Sequence, residues 1–230
     1  MSLVELILVR HGQPDWFPRG IGSNDPHLTD LGHQQAQRVG EVSRRWGKID
    51  EIWVSPLRRA RATALPLGEA LGIEPVVLDW TAEIGNPPAW EGSPVDLIED
   101  AWAKGNLRSM EELWEGMPGG ESFRDFHIRV VGGLIEDFRT RAIERLEDGH
   151  PHLWDIKDEP RIVVVAHGGT NAVITGALLG LEPTPWEWDR FDSPHTGVAR
   201  LSTLRIAHGH AFSLRAFADV THLDPEMVTK

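Results

Sequence analysis

Four short apolar runs punctuate the chain: LVELILV at 3–9, DEIWVSP at 50–56, PVVLD at 75–79 and IVVVA at 162–166. They are continuous rather than alternating and rich in branched residues, the pattern of strands buried on both faces of a parallel sheet. Between them, apolar residues recur at helical spacing. Residues 29–46 open on Thr29 as an N-cap and place Leu31, Val39, Val42 and Trp46 along one side. Residues 57–71 do so with Ala60, Ala64, Leu67 and Leu71, and Pro66 is expected to kink or reset that helix. Ser122-x-x-Asp125 resembles a capping box and opens a helix over 122–146 that carries Phe123, Phe126, Val130, Leu134 and Phe138. A further helix over 169–179 stops at Gly180. VARLSTLRI and AFSLRAF flank HGH within 198–217 and predict a closing hairpin.

Strands alternating with helices predict an α/β fold, a three-layer sandwich with a mostly parallel mixed sheet flanked by helices and an antiparallel edge. Residues 84–118 do not read as core. They hold Pro87-Pro88, Pro94 and Pro118 beside Trp90, Trp102 and Trp114. They are expected to form a small cap or lid insertion within a single domain over 1–230. Residues 148–160, DGHPHLWDIKDEP, read as a long polar loop.

Composition narrows the chemistry. No Cys is present, which removes disulfides, thiolate catalysis and Cys-based metal sites. With 23 Lys plus Arg against 35 Asp plus Glu, the net charge of −12 makes nucleic acid a poor partner. No run approaches the roughly 20 apolar residues of a membrane span. MSLVELILV lacks the basic opening of a signal peptide, so a cytoplasmic protein is expected. A small anionic substrate stays open if positive charge is gathered locally.

Two strand ends supply that gathering. LILV runs into Arg10-His11-Gly12, and IVVVA runs into His167-Gly168-Gly169. In open α/β sheets, ligands bind beyond the carboxyl ends of the strands. SPLRRARAT adds Arg58, Arg59 and Arg61 at a helix start, where free amide donors also favour anions. A lone His after a strand is usually structural, and an Arg run is usually a solvated face. Two strand-end His-Gly pairs beside an Arg-rich helix start argue together for a nucleophile held at an anion pocket. His150-x-His152 and His208-x-His210 lack a third ligand and read as loop residues.

These residues, taken in order, resemble the histidine phosphatase superfamily, which contains cofactor-dependent phosphoglycerate mutases and many small phosphatases. Arg10-His11-Gly12 matches its signature. Asp25, Leu28, Thr29 and Gly32 match D-x-x-L-T-x-x-G, and Ser55, Leu57, Arg59, Ala60, Thr63 and Ala64 match S-x-L-x-R-A-x-x-T-A. An E-x-x-x-G-x-W-E-G segment is stretched into Glu83, Gly85 and Trp90-Glu91-Gly92. Pro118 to Ser122 match P-G-G-E-S, and His167 matches the second histidine.

The resemblance implies a metal-independent phosphomonoesterase acting on a small phosphorylated metabolite, with His11 as nucleophile and phosphohistidine as intermediate. It implies Arg10, Arg59 and His167 as phosphate ligands, with His167 also catalytic, and Glu83 as general acid. No cofactor or metal is expected. Gln13, Trp16, Phe17 and Trp90 are the expected substrate contacts, and the Trp residues of the cap point to an apolar or ring-bearing leaving group. Glu121 and Ser122 are expected to be structural. Mutase-type phosphoryl transfer is the alternative, disfavoured because Trp16 is followed by Phe17 rather than Asn and Glu83 by Ile-Gly-Asn-Pro-Pro. A phosphohistidine-protein phosphatase or signalling module is the other. A homodimer is left open.

Overall fold

The computed structural model describes residues 4–105, 107–146 and 152–230. Along the chain, β1 (Glu5–Arg10), α1 (Asp30–Ser43), β2 (Glu51–Val54), α2 (Arg58–Leu71) and β3 (Val76–Val77) come first. The segment after them carries α3 (Val95–Gly105) and α4 (Met110–Trp114), then α5 (Phe123–Arg139), β4 (Ile143–Arg145) and β5 (Trp154–Ile156). Next come β6 (Arg161–Ala166), α6 (Gly168–Leu178), α7 (Glu187–Arg190) and the hairpin β7 (Val198–Ile206) and β8 (Gly209–Asp219).

One sheet of eight strands runs in the order β3-β2-β6-β1-β7-β8-β5-β4. The first four are mutually parallel, and the remaining pairings are antiparallel. The antiparallel part is thus wider than one closing hairpin. The continuous apolar runs are explained by the pleat, which sends successive residues to opposite faces. Leu6, Leu8, Ile162, Val164 and Ala166 join a core with Phe123, Phe126, Val130, Leu134 and Phe138 of α5. Ile7, Val9, Val163 and Val165 join the other core with Val39 of α1 and Ala60, Ala64 and Leu67 of α2. Each such buried side chain contributes about 1.5–3 kcal/mol relative to exposure. Three layers follow directly.

Five local expectations differ from the structure. The helix predicted over 122–146 ends at Arg139, and Ile143–Arg145 turns back to pair with β5 as β4. Helix α2 continues through Pro66 to Leu71 rather than resetting, and the ring lies on Gly40 of α1, where an added Cβ would meet Pro66 Cβ at 2.8 Å. Val76 and Val77 form only a two-residue edge strand and are exposed. Within the predicted polar loop, Trp154–Ile156 pairs as β5, because Trp154 is buried against Phe138 and Phe212. His210 lies on β8 rather than in a loop. His150 falls outside the described residues. Among the described residues no three His, Asp or Glu side chains gather as a metal would need, and no helix is long and apolar enough to cross a membrane.

What positions the functional end is the central register. Arg10 sits opposite Ala166 across the parallel β1–β6 pair, and Val54 opposite Val165 across β2–β6. His11, Ser55 and His167, each one residue past its strand, therefore emerge side by side.

Candidate active site

His11 is buried and its ring is fixed. Its Nδ1–H donates to the Gly12 carbonyl at 2.7 Å, which leaves the ring's lone pair on Nε2. Burial, then the charges of Arg59, His167 and Arg10, push its pKa well below the ordinary histidine value against the pull of the Gly12 carbonyl. The imidazole is neutral at neutral pH. Gly12 is required by a close approach, since a Cβ there would stand 2.4 Å from the Gly32 carbonyl oxygen at the start of α1. Its N–H donates to Thr63 Oγ1 at 3.0 Å, and that hydroxyl donates to the Arg59 carbonyl at 2.7 Å. Thr63 thus ties the loop of His11 to the turn that bears Arg59.

Of the three arginines in the SPLRRARAT run, only Arg59 turns inward. It is 2% exposed, donates from Nε to His11 Nε2 at 3.3 Å, and lies over the Trp16 ring at 4.8 Å. Burial lowers its pKa to about 10, so it stays charged at neutral pH. Arg58 is exposed, and its N–H is capped by Asp25 Oδ1 at 2.9 Å, which gives the Asp25 of the motif its task. Arg61 is exposed as well. Arg10 donates from Nη1 to the Ser193 carbonyl at 2.6 Å.

His167 caps α6, and its ring lies 5.0 Å from that of His11. Its Nε2 contacts Ser55 Oγ at 2.7 Å, and burial beside Arg59, Arg10 and Arg129 pushes its pKa well down. Arg10 Nε, Arg59 Nη1 and His167 Nδ1 are all buried without a hydrogen-bond partner among the described residues. Leaving buried donors unpaired costs about 1–3 kcal/mol each. Three of them in one place fit a ligand rich in acceptor oxygens.

Across the cleft, Glu83 sits on the N-terminus of α6. Its Oε2 accepts from Gly169 N–H at 2.9 Å, and its Oε1 accepts from Ile84 N–H at 3.1 Å and from Thr170 Oγ1 at 3.4 Å. A Cβ at position 169 would stand 2.5 Å from Oε1, so the second glycine of AHGG makes room for this carboxylate. The loop bearing Glu83 is clamped from both sides. Arg129 of α5 donates to the carbonyls of Trp80 (2.9 Å), Ala82 (3.1 Å) and Glu83 (3.3 Å), and forks onto Glu121 at 2.9 and 2.7 Å. Glu121 Oε2 in turn accepts from Gly85 N–H at 2.9 Å. Glu121 is therefore structural in a specific sense, since it holds the loop that bears Glu83. Ser122 caps α5 by accepting from Asp125 N–H at 3.0 Å, as the sequence predicts.

The structure brings Arg10, His11, Arg59 and Glu83 onto one cleft of about 340 Å³, with His167 beside them. Of the expected substrate contacts, Trp16 lines this cleft. Gln13 does not, because its Oε1 accepts from Thr29 Oγ1 at 2.8 Å and its N–H donates to Gln35. Phe17 and Trp90 do not either, and pack against Trp102 at centroid distances of 6.0 and 5.8 Å. Sequence reading missed Trp188, Asp189, Asp192 and Lys230, which line the cleft. It also missed His195, whose ring lies 5.6 Å from that of His11 and whose pKa burial lowers to about 3. Thr196, next to it, holds φ 54° and donates its N–H to the carbonyls of both Arg10 (3.1 Å) and His11 (3.3 Å). A left-handed β-branched residue is uncommon and marks local strain beside His11.

Comparison with known proteins identifies the family. The family model described as the histidine phosphatase superfamily (branch 1) matches residues 6–219. Phosphoserine phosphatase 1 of Hydrogenobacter thermophilus is 33% identical over 184 residues, covering 78% of each chain. A 2,3-bisphosphoglycerate-dependent phosphoglycerate mutase of Bartonella tribocorum is 28% identical over 182 residues, 76% of this chain and 82% of that one. The native structure of mycobacterial glucosyl-3-phosphoglycerate phosphatase superposes with a TM-score of 0.67 at 28% identity, covering 94% of this chain and 98% of that one.

Proposed function

This chain belongs to the histidine phosphatase superfamily and is a phosphoric monoester hydrolase, and we propose that it hydrolyses a small phosphorylated metabolite through a phosphohistidine on His11. The observation that carries this reading is the convergence of a neutral His11, its Nε2 uncapped by any carbonyl, with the unpaired buried donors of Arg10, Arg59 and His167.

His11 Nε2 attacks phosphorus in line, and the P–O bond to the leaving group breaks. The Nδ1–H bond to Gly12 holds the ring and spreads the positive charge that phosphorylation creates. Arg10 and Arg59 meet the charge on the non-bridging oxygens, and preorganised charge of this kind is usually the largest catalytic contribution. With Ser55 Oγ–H donating to Nε2, His167 presents Nδ1–H to a third oxygen. Glu83 gives its proton to the leaving alkoxide, help worth about 10²–10⁴ in rate. It then takes a proton from the water that attacks phosphorus and releases the His11 nitrogen. The 84–118 segment acts as a lid, with Ile84 and Trp102 beside Arg59 and Glu83. That narrows access and favours a small molecule over a phosphoprotein.

The test is phosphate release from a generic aryl phosphate with EDTA present, comparing wild type with His11→Ala. Activity that survives EDTA and vanishes in the variant is expected. Activity surviving His11→Ala overturns the nucleophile assignment, and loss of the wild-type activity in EDTA overturns the metal-free chemistry.

A further inference from the structure

Resting on the phosphatase reading, we infer that this enzyme selects phosphomonoesters whose leaving alcohol carries a ring and no negative charge, and discriminates against leaving groups that carry a carboxylate. A cavity of about 610 Å³ adjoins the phosphate cleft and shares Ile84, Trp188 and Asp189 with it. That volume is in the range of small-molecule sites. Its walls are unusually aromatic: Trp102 comes from α3, Trp186 and Trp188 from the start of α7, and Phe123 from α5. The three indoles are 37–42% exposed, a large apolar surface to leave in water. Two of them are also held in place, Trp188 edge-on to Phe123 at 5.8 Å and Trp102 between Phe17 and Trp90. Flat, rigid indole faces suit a ring, whether aromatic or sugar.

Charge sets the second half of the preference. Beyond Arg10 and Arg59, which address the phosphate, the cations near the cleft are already engaged. Arg129 is forked onto Glu121, and Lys230 pairs with Asp192. Asp189 lines the same cleft, where Glu83 enters as the proton donor and Asp192 is already paired. Arg108 lines the larger cavity beside Gly105 and Gly116 of the cap, donates to the Gly116 carbonyl at 2.6 Å, and is not among the residues of the phosphate cleft. A carboxylate placed two or three bonds from the phosphate would meet Asp189, with no free cation among the described residues of the cleft to offset it. Like-charge juxtaposition is how sites reject wrong partners. The named substrates of the phosphoserine and glucosyl-3-phosphoglycerate relatives both bear a carboxylate, so this chain is set apart from them in substrate choice.

The test uses the full chain and four esters: ethyl, benzyl and α-carboxybenzyl phosphate, and O-phosphoserine. Benzyl phosphate should exceed ethyl phosphate in kcat/KM by about 10-fold or more. The added carboxylate should cost on the order of 10-fold or more, and phosphoserine should be the poorest. Trp186→Ala, whose side chain lines the larger cavity only, should lower the benzyl-to-ethyl ratio, and Asp189→Asn should narrow the benzyl-to-carboxybenzyl gap. Equal rates for benzyl and ethyl phosphate, or phosphoserine as the best of the four, overturn the inference while leaving a phosphatase. Hydrolysis of none of the four overturns the phosphatase reading, and the inference with it.

Discussion

Arg129→Met separates the acid step from phosphate binding. In the wild type, Arg129 makes three bonds to the carbonyls of 80, 82 and 83 and two to Glu121. Its side chain is 30% exposed, so water replaces part of what is lost. At about 1 kcal/mol for each carbonyl bond, and little more than that for a partly solvated ion pair, the variant should lose about 3–4 kcal/mol of stability. For a chain of this size that corresponds to a fall in Tm of roughly 10 °C. The catalytic loss should depend on the leaving group. Benzyl alkoxide needs the proton that Glu83 supplies, so displacing Glu83 should cost about 10² in kcat/KM, the low end of general acid catalysis. Nitrophenolate leaves without help, so p-nitrophenyl phosphate should change by no more than about threefold in kcat/KM, which ends at phosphorylation of His11 and leaves out the later hydrolysis that Glu83 assists as base. Arg129 also helps to hold down the pKa of His167, so the assay belongs in mildly alkaline buffer, where that imidazole is neutral in either protein. Equal losses for the two esters in a folded variant would refute the clamp as a device for Glu83. An unchanged benzyl rate would refute it as well.

Two further outcomes follow from the same geometry. Gly169→Ala puts a methyl 2.5 Å from Glu83 Oε1, so it should reproduce the leaving-group signature of Arg129→Met while inhibition by inorganic phosphate stays near wild type; a weakened phosphate site would contradict this. His11, His167 and His195 have depressed pKa values, so as pH falls below about 6.5 the unfolded chain binds protons that the native state refuses. Stability is then full above that pH and declines on acidification by up to about 1.4 kcal/mol per pH unit for each of the three. Urea denaturation between pH 7 and 5 checks the sign, and a flat profile would mean that these imidazoles titrate normally.

The parts of the site that were legible lie next to a strong local signal. LILV and IVVVA announce buried parallel strands, and the first residue past each is carried to the same end of the sheet by register alone. Arg59 is less obvious, because nothing in RRARAT says which guanidinium turns inward. The helix phase decides it, with Arg59, Ala60 and Thr63 buried and Arg58 and Arg61 outside. What stayed hidden comes from 186–195 and from Lys230. Those residues approach the cleft because β7 pairs antiparallel with β1 and the preceding loop returns past His11. No spacing in the sequence encodes that return. Gln13 misled for a related reason, since the tight bend at Gly12 aims it at the cap of α1 instead of the cleft. Trp154 misled because a three-residue strand with one buried side chain shows no period.

The acidity of the chain and the basicity of its site are two sides of one arrangement. With a net charge of −12, a diffuse surface field would repel a phosphate monoester. Attraction therefore has to be short-ranged. Burying Arg10 and Arg59 achieves this, because charge interactions strengthen as water is excluded. The two nearby imidazoles stay neutral for the same reason, so they add donors and a lone pair without adding charge that would have to be desolvated. The field then reverses within a few residues. Asp189 stands beside the two arginines on the same cleft, and Arg129 and Lys230 nearby are already paired. A dianionic phosphoryl group fits the basic floor, but a second anion attached to it meets the acidic wall. Catalytic preorganisation and leaving-group selectivity thus arise from one short-range alternation of charge.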